Sequence, residues 1–145
     1  MARTRIDAPA FFSFSTNIPV RITDVNYGGH VGNDTILSII HEARVQFLAH
    51  LDYGEMSIDG VGLIMRDVTI EFKRELFYGD VIKASVAATE INKLGFDLIY
   101  QLETGEGNNL KVAAMAKTGM ICYNYDAKKI ATLPEKARVK LSTVS

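Results

Sequence analysis

Residues 21–44, RITDVNYGGHVGNDTILSIIHEAR, decide how this chain is read. An apolar alternation runs into Ile22, a polar and glycine-rich loop follows, and from Asn33 onward the apolar residues recur at three and four. That change of period, from 2 to about 3.6, marks a strand that gives way to a helix. A helix start offers unpaired backbone N–H groups and the positive end of a dipole, which suit an oxyanion. Here it is surrounded by Asp24, Asn26, His30, Asn33 and Asp34, so the junction is the expected site.

Working outward, Phe12, Phe14, Ile18, Val20 and Ile22 alternate as a half-buried strand from Phe12 to Ile22, with Pro19 assigning it to an edge or bulge. The helix is expected from Asn33 to Tyr53, about 30 Å long, with Ile36, Ile39, Ile40, Ala43, Phe47 and Leu51 as its apolar stripe. Asn33 or Asp34 is expected to cap it and Gly54 to stop it. The stripe leaves Asp34, Ser38, His41, Glu42 and Val45 on the opposite face.

Four further alternating runs follow. Leu63 to Lys73 sets Ile64, Val68, Ile70 and Phe72 on one face; Val81 to Ile91 turns Ile82, Ala84, Val86 and Ala88 inward; Phe96 to Glu103 does the same with Phe96, Leu98, Tyr100 and Leu102; Leu110 to Tyr125 is the last. The turn signals FYGD, NKLG and GEGNN separate them, and the tail from Asp126 has room for a short helix. Strand, long helix and four meandering strands make an α+β order in one domain spanning residues 1–145.

Composition narrows the function classes. With 145 residues, 16 basic against 17 acidic and no basic block, a nucleic-acid groove or membrane-surface patch is not expected and the partner is a small molecule. One helix over one sheet leaves apolar surface uncovered, which predicts a homo-oligomer, a dimer or a dimer of dimers. The N-terminal run is too short and too polar for a signal peptide, and no segment reaches the roughly 18 apolar residues of a membrane span. A cytoplasmic protein is the expectation. Cys122, the single cysteine, sits in an apolar strand pattern and reads as an inert core thiol. The histidines lack ligand spacing, so no metal or organic cofactor is implied.

Arg21, Asp24, Gly29, His30, Val31, Asn33, Glu42, Ala43 and Arg44 fall, in order, on the positions of a known signature: an Arg, then D-x-D-x-x-G-H-V-x-N, then a helix with E-A-R. The chain thus resembles the hotdog-fold acyl-CoA thioesterases of the 4-hydroxybenzoyl-CoA thioesterase type. The resemblance implies a long central helix wrapped by a five-stranded antiparallel sheet, an acyl-CoA substrate and a site at a subunit interface. It departs at one telling place: the second Asp of D-x-D, the family's usual catalytic carboxylate, is Asn26. A second resemblance, to plant acyl-carrier-protein thioesterases, rests on His30 and Glu42, twelve residues apart, although those enzymes carry an Asp and an Asn where this chain has Asn26 and Gly28.

An amide does not titrate near neutral pH, so Asn26 holds water or the thioester oxygen while Glu42, Asp34 or His30 takes the proton, Glu42 ranking just ahead of Asp34. Each has a plain structural alternative: Asp34 as an N-cap, Glu42 as a solvated helix residue, His30 as a packed loop histidine. Gly29, Val31, Gly32 and Asn33 are expected to contact substrate, with N–H groups from Val31 to Asp34 facing the oxyanion and the loop glycines allowing positive φ. Two further readings stand beside the thioesterase. A non-catalytic acyl-CoA-binding hotdog protein would keep the pocket and lack a base. An acyl-thioester dehydratase or hydratase would set Asp24 and His30 on one substrate carbon.

Overall fold

The computed structural model describes residues 5–143. The elements run β1 (Phe14–Pro19), a 3₁₀ turn (Ile22–Asp24), α1 (Asn33–His50), β2 (Gly62–Phe72), β3 (Val81–Thr89), β4 (Gly95–Thr104), β5 (Lys111–Asn124), β6 (Lys129–Ile130) and α2 (Glu135–Ser142). The architecture is α+β, with one antiparallel sheet in the order β1-β3-β4-β5-β2. The expected five strands are corrected to six, and the short helix for which the tail from Asp126 has room is α2. The two-residue β6 adds to β5 through Tyr123 and Asn124, and α2 buries Ala137 and Leu141 in the core. Among the described residues, no helix is long and apolar enough to cross a membrane.

The inner face of the sheet carries the alternation expected for β3 and β4: Ile82, Ala84, Val86 and Ala88, then Phe96, Leu98, Tyr100 and Leu102, are buried. Against it lies the apolar stripe of α1, with Ile36, Ile39, Ile40, Ala43, Phe47 and Leu51 all buried and Phe14 of β1 edge-on to Phe47 at 5.6 Å. β1 is an edge strand, as Pro19 requires, but it is shorter than expected. Ile22 leaves the sheet for the 3₁₀ turn and is exposed.

β2 departs from the sequence pattern. A bulge between Met65 and Asp67 inserts one residue, so the inward parity switches from odd to even: Leu63 is buried before it, Val68 and Ile70 pack on the core after it. Ile64 therefore does not share their face, because an alternation read through a bulge assigns the wrong side to everything before it.

α1 is also bounded differently. Gly32, with φ −71° and ψ 155°, is the N-cap, and neither Asn33 nor Asp34 caps the helix with its side chain. At the other end Asp52, not Gly54, takes the left-handed conformation at φ 65°. Its N–H donates to the Ala49 carbonyl and that of Tyr53 to the Leu48 carbonyl, which is a Schellman closure two residues ahead of the expected stop at Gly54.

Candidate functional site

The loop before α1 is braced at its base. Arg21 N–H donates to Asp24 Oδ2 at 2.8 Å, and the Arg21 guanidinium lies 3.2 Å from Asp24 Oδ1. Burial pushes the Asp24 pKa upward, but the Arg21 backbone and guanidinium outweigh it and hold the carboxyl below its ordinary range. Asp24 is thus an ionised brace under the loop.

Above it the chain makes a tight turn around Asn26. Asn26 Oδ1 accepts from Gly28 N–H at 2.9 Å, its carbonyl accepts from Gly29 N–H at 3.0 Å, and its own N–H donates to the His30 carbonyl at 2.9 Å. Gly29 sits at φ 81°, which only glycine adopts cheaply; Gly28 and Gly32 are not at positive φ. Their need for glycine is one of space. A Cβ on Gly28 would stand 3.1 Å from His30 Nε2 and 3.3 Å from Asn26 Oδ1; one on Gly32 would stand 2.7 Å from Asp34 Oδ1 and 3.8 Å from Asn26 Nδ2. Asn26, His30 and Asp34 therefore converge around the two glycines, with Asn26 between the other two.

The donors at the helix start are fewer than expected. Val31 N–H is already spent on the Leu76 carbonyl at 2.7 Å, so Val31 pins the loop to the segment before β3. Thr35 and Ile36 N–H groups both turn to the Gly32 carbonyl. Among the described residues, those of Asn33 and Asp34, in the first turn of α1, have no acceptor and are open to an oxyanion. His30 sets Nδ1 3.3 Å from the Val31 carbonyl and Nε2 3.7 Å from Glu75 Oε1.

Glu42 stands apart. It accepts from Gln46 Nε2 at 2.9 Å and lines a separate cleft of about 320 Å³ with Asn17, Pro19, Arg21 and Ser38. His30 and Asn33 line a different cleft, of about 340 Å³, on the side of Phe72 to Leu76. The twelve-residue spacing of His30 and Glu42 does not bring them into one cavity.

Residues 20–141 match the Thioesterase-like superfamily. This chain belongs to that superfamily. It is similar to the 1,4-dihydroxy-2-naphthoyl-CoA hydrolase of Gloeothece citriformis, 30% identical over 119 residues that cover 80% of this chain and 82% of that protein. The enzyme of the same name from Microcystis aeruginosa is 30% identical over 129 residues, 87% of this chain and 91% of that one. In fold it is similar to a thioesterase-superfamily protein from a Jannaschia species, with a TM-score of 0.81 and 18% identity over 93% of this chain and 84% of the other. The class expected from the signature, a thioester hydrolase, is that of these relatives.

The sequence assigns no task to one residue of the signature, Arg44. Arg44 is buried on the side of α1 that faces the sheet, where Nη1 donates to the Tyr100 hydroxyl at 3.2 Å and that hydroxyl pairs with Thr118 Oγ1 at 2.7 Å. Glu55 Oε1 lies 3.5 Å from Arg44 Nε and 2.8 Å from His41 Nε2, so the ion pair ties the helix to the Gly54–Val61 connection. The signal available was a charge inside the apolar arc, between Ile40, Ala43 and Phe47. Cys122 is an inert core thiol as expected; burial pushes its pKa up to about 11.

Proposed function

We propose that this chain hydrolyses an acyl-CoA thioester to the free acid and CoA at the Asn26, His30 and Asp34 cluster. The observation that carries the reading is the convergence of these side chains on the helix start beside the open N–H groups of Asn33 and Asp34. The thioester oxygen lies against those donors and gains a few kcal/mol of stabilisation as it becomes an oxyanion. Asp34 takes the proton of the attacking water as the water oxygen bonds to the carbonyl carbon, and when the C–S bond breaks Asp34 returns that proton to the departing sulfur, releasing CoA as its thiol. Asn26, whose Oδ1 is held by Gly28 N–H, turns Nδ2 toward the same space and fixes the water or the thioester oxygen. His30 buttresses Asn26 across Gly28.

The two named relatives support an aromatic acyl group. The working unit is a homodimer or a dimer of dimers. β2 is an eleven-residue edge strand with Met65 and Phe72 exposed, and Leu37 and Val45 are exposed on α1. Such an edge favours pairing with a second copy.

A thiol-release assay across aryl and aliphatic acyl-CoA thioesters tests the reading, with light scattering on the same sample. Turnover fastest on aryl thioesters by a dimer or larger species is the expected result. Tight binding without thiol release would instead favour the non-catalytic acyl-CoA-binding protein, a reading that Asn26 in place of a carboxylate supports.

A further inference from the structure

His30 is held by more than its own loop. Its bridge to Phe77 and the hydrogen bond from Val31 N–H to the Leu76 carbonyl, at 2.7 Å, lay residues 30–31 alongside 76–77. That pairing brings to the imidazole a residue outside the signature, Glu75. Each ring nitrogen then has an oxygen before it: the Val31 carbonyl 3.3 Å from Nδ1, and Glu75 Oε1 3.7 Å from Nε2. A carbonyl only accepts, so Nδ1 carries a hydrogen. A neutral ring would then turn the bare Nε2 lone pair on a carboxylate, whereas the doubly protonated ring gives both oxygens a donor. The other described charges around the ring do not supply this. Lys73 and Arg74, which line the same cleft, repel a cation, and Asp34 of α1 stands at Gly32, on the far side of Asn26.

We propose that Glu75 is a positioning residue that keeps His30 as an imidazolium, so that His30 presents a positive charge to the site and leaves the role of base to Asp34. This rests on the reading that hydrolysis takes place at Asn26, His30 and Asp34. The Nε2–Cδ2 edge of the ring lies over Gly28, opposite Asn26 Oδ1, and His30 lines one cleft with Asn33, whose N–H is open to the thioester oxygen. A fixed cation there favours the negative charge that develops on that oxygen and opposes protonation of Asp34. The two groups thereby divide the work: an ionised carboxylate accepts and returns a proton, and a protonated imidazole keeps its own. The side chains of His30 and Glu75 are 33% and 64% exposed, so water screens the pair, and its effect falls on the ring's proton far more than on stability.

The test follows the ring's proton by nitrogen NMR of labelled histidine, with His30→Gln identifying the signals, beside the pH dependence of thiol release. Glu75→Gln keeps the size of the side chain and removes its charge at an exposed position. In the parent both His30 nitrogens should carry hydrogen at about pH 6, and Glu75→Gln should move the loss of that proton about half a pH unit lower. The alkaline limb of kcat should move with it, leaving the variant about threefold slower on that side and at the parent rate at lower pH, with KM and Tm unchanged. Glu75→Asp, which keeps the charge, should recover part of the shift. A ring proton lost at the same pH in the parent and Glu75→Gln, or a rate loss equal at every pH, overturns the proposal; so does a shift in the ring without one in the limb. A parent that releases no thiol fails the catalytic reading instead, and the NMR shift alone then decides whether Glu75 governs the charge of His30.

Discussion

Asp34 and Glu42 lie on the same helix, eight residues and so about 12 Å apart, and both are exposed carboxylates. Their surroundings separate them. Asp34 folds back over Gly32 toward Asn26, next to open N–H groups, whereas Glu42 is held by Gln46 in another cleft with Arg21. Sharing a helix is therefore not sharing a site: Asp34 stands in the first turn, against Gly32 of the loop, and Glu42 stands two turns further on.

The sharpest way to break this contrast is to neutralise each acid in turn. Asp34→Asn should lower kcat by about 10²-fold or more with KM little changed, as expected when a proton acceptor is lost. Single-turnover hydrolysis reads this, and parent-like rates would sink the helix-start mechanism.

Gly32→Ala probes the same carboxylate without touching it. The backbone at Gly32 is one any residue adopts, so alanine fits there, but its Cβ would meet Asp34 Oδ1 at 2.7 Å and turn the carboxylate away. A loss of roughly tenfold in kcat is expected, with stability within about 1 kcal/mol because N-cap preference and unfolded-state entropy oppose each other. In an Asp34→Asn background the same change should cost nothing more; an additive loss would mean that Gly32 acts on substrate directly.

Glu42→Gln should leave kcat within about twofold, since an amide keeps a partner for Gln46 and no proton transfer is asked of it. A hundredfold loss there would reverse the comparison and return the base to Glu42. The smallest effect concerns the brace beneath the loop. Because the folded state holds the Asp24 carboxyl below its ordinary pKa, its stabilisation is complete above about pH 4 and is lost as pH falls through the depressed value. Thermal melts should thus show Asp24→Asn less stable than the parent near neutral pH, by about 1–2 kcal/mol, with the gap closing in acid.

Much of the fold was legible because long apolar alternations carry their own period. Ile82 to Ala88 and Phe96 to Leu102 read inward from sequence and are inward. β2 misread because a bulge is a local backbone event with no residue signature: Arg66 at the insertion looks like any exposed strand residue. The early helix stop misread for a related reason, since Asp52 takes the left-handed turn that glycine usually marks. At the site, the residues of the signature were visible, but not which of them meet.

The sequence by itself determined the superfamily, the order of elements, the apolar stripe of α1 and the substitution of Asn26 for an acid, because these are matters of residue type and spacing along one chain. Only the tertiary structure decided that Val31 N–H is consumed by Leu76, that Arg44 lies inside the core against Tyr100, and that Asn26, His30 and Asp34 gather while Glu42 does not. Those outcomes depend on how the loop, the segment before β3 and the sheet close on one another. Hydrogen bonds between residues distant in the chain fix that closure, and no local pattern encodes it.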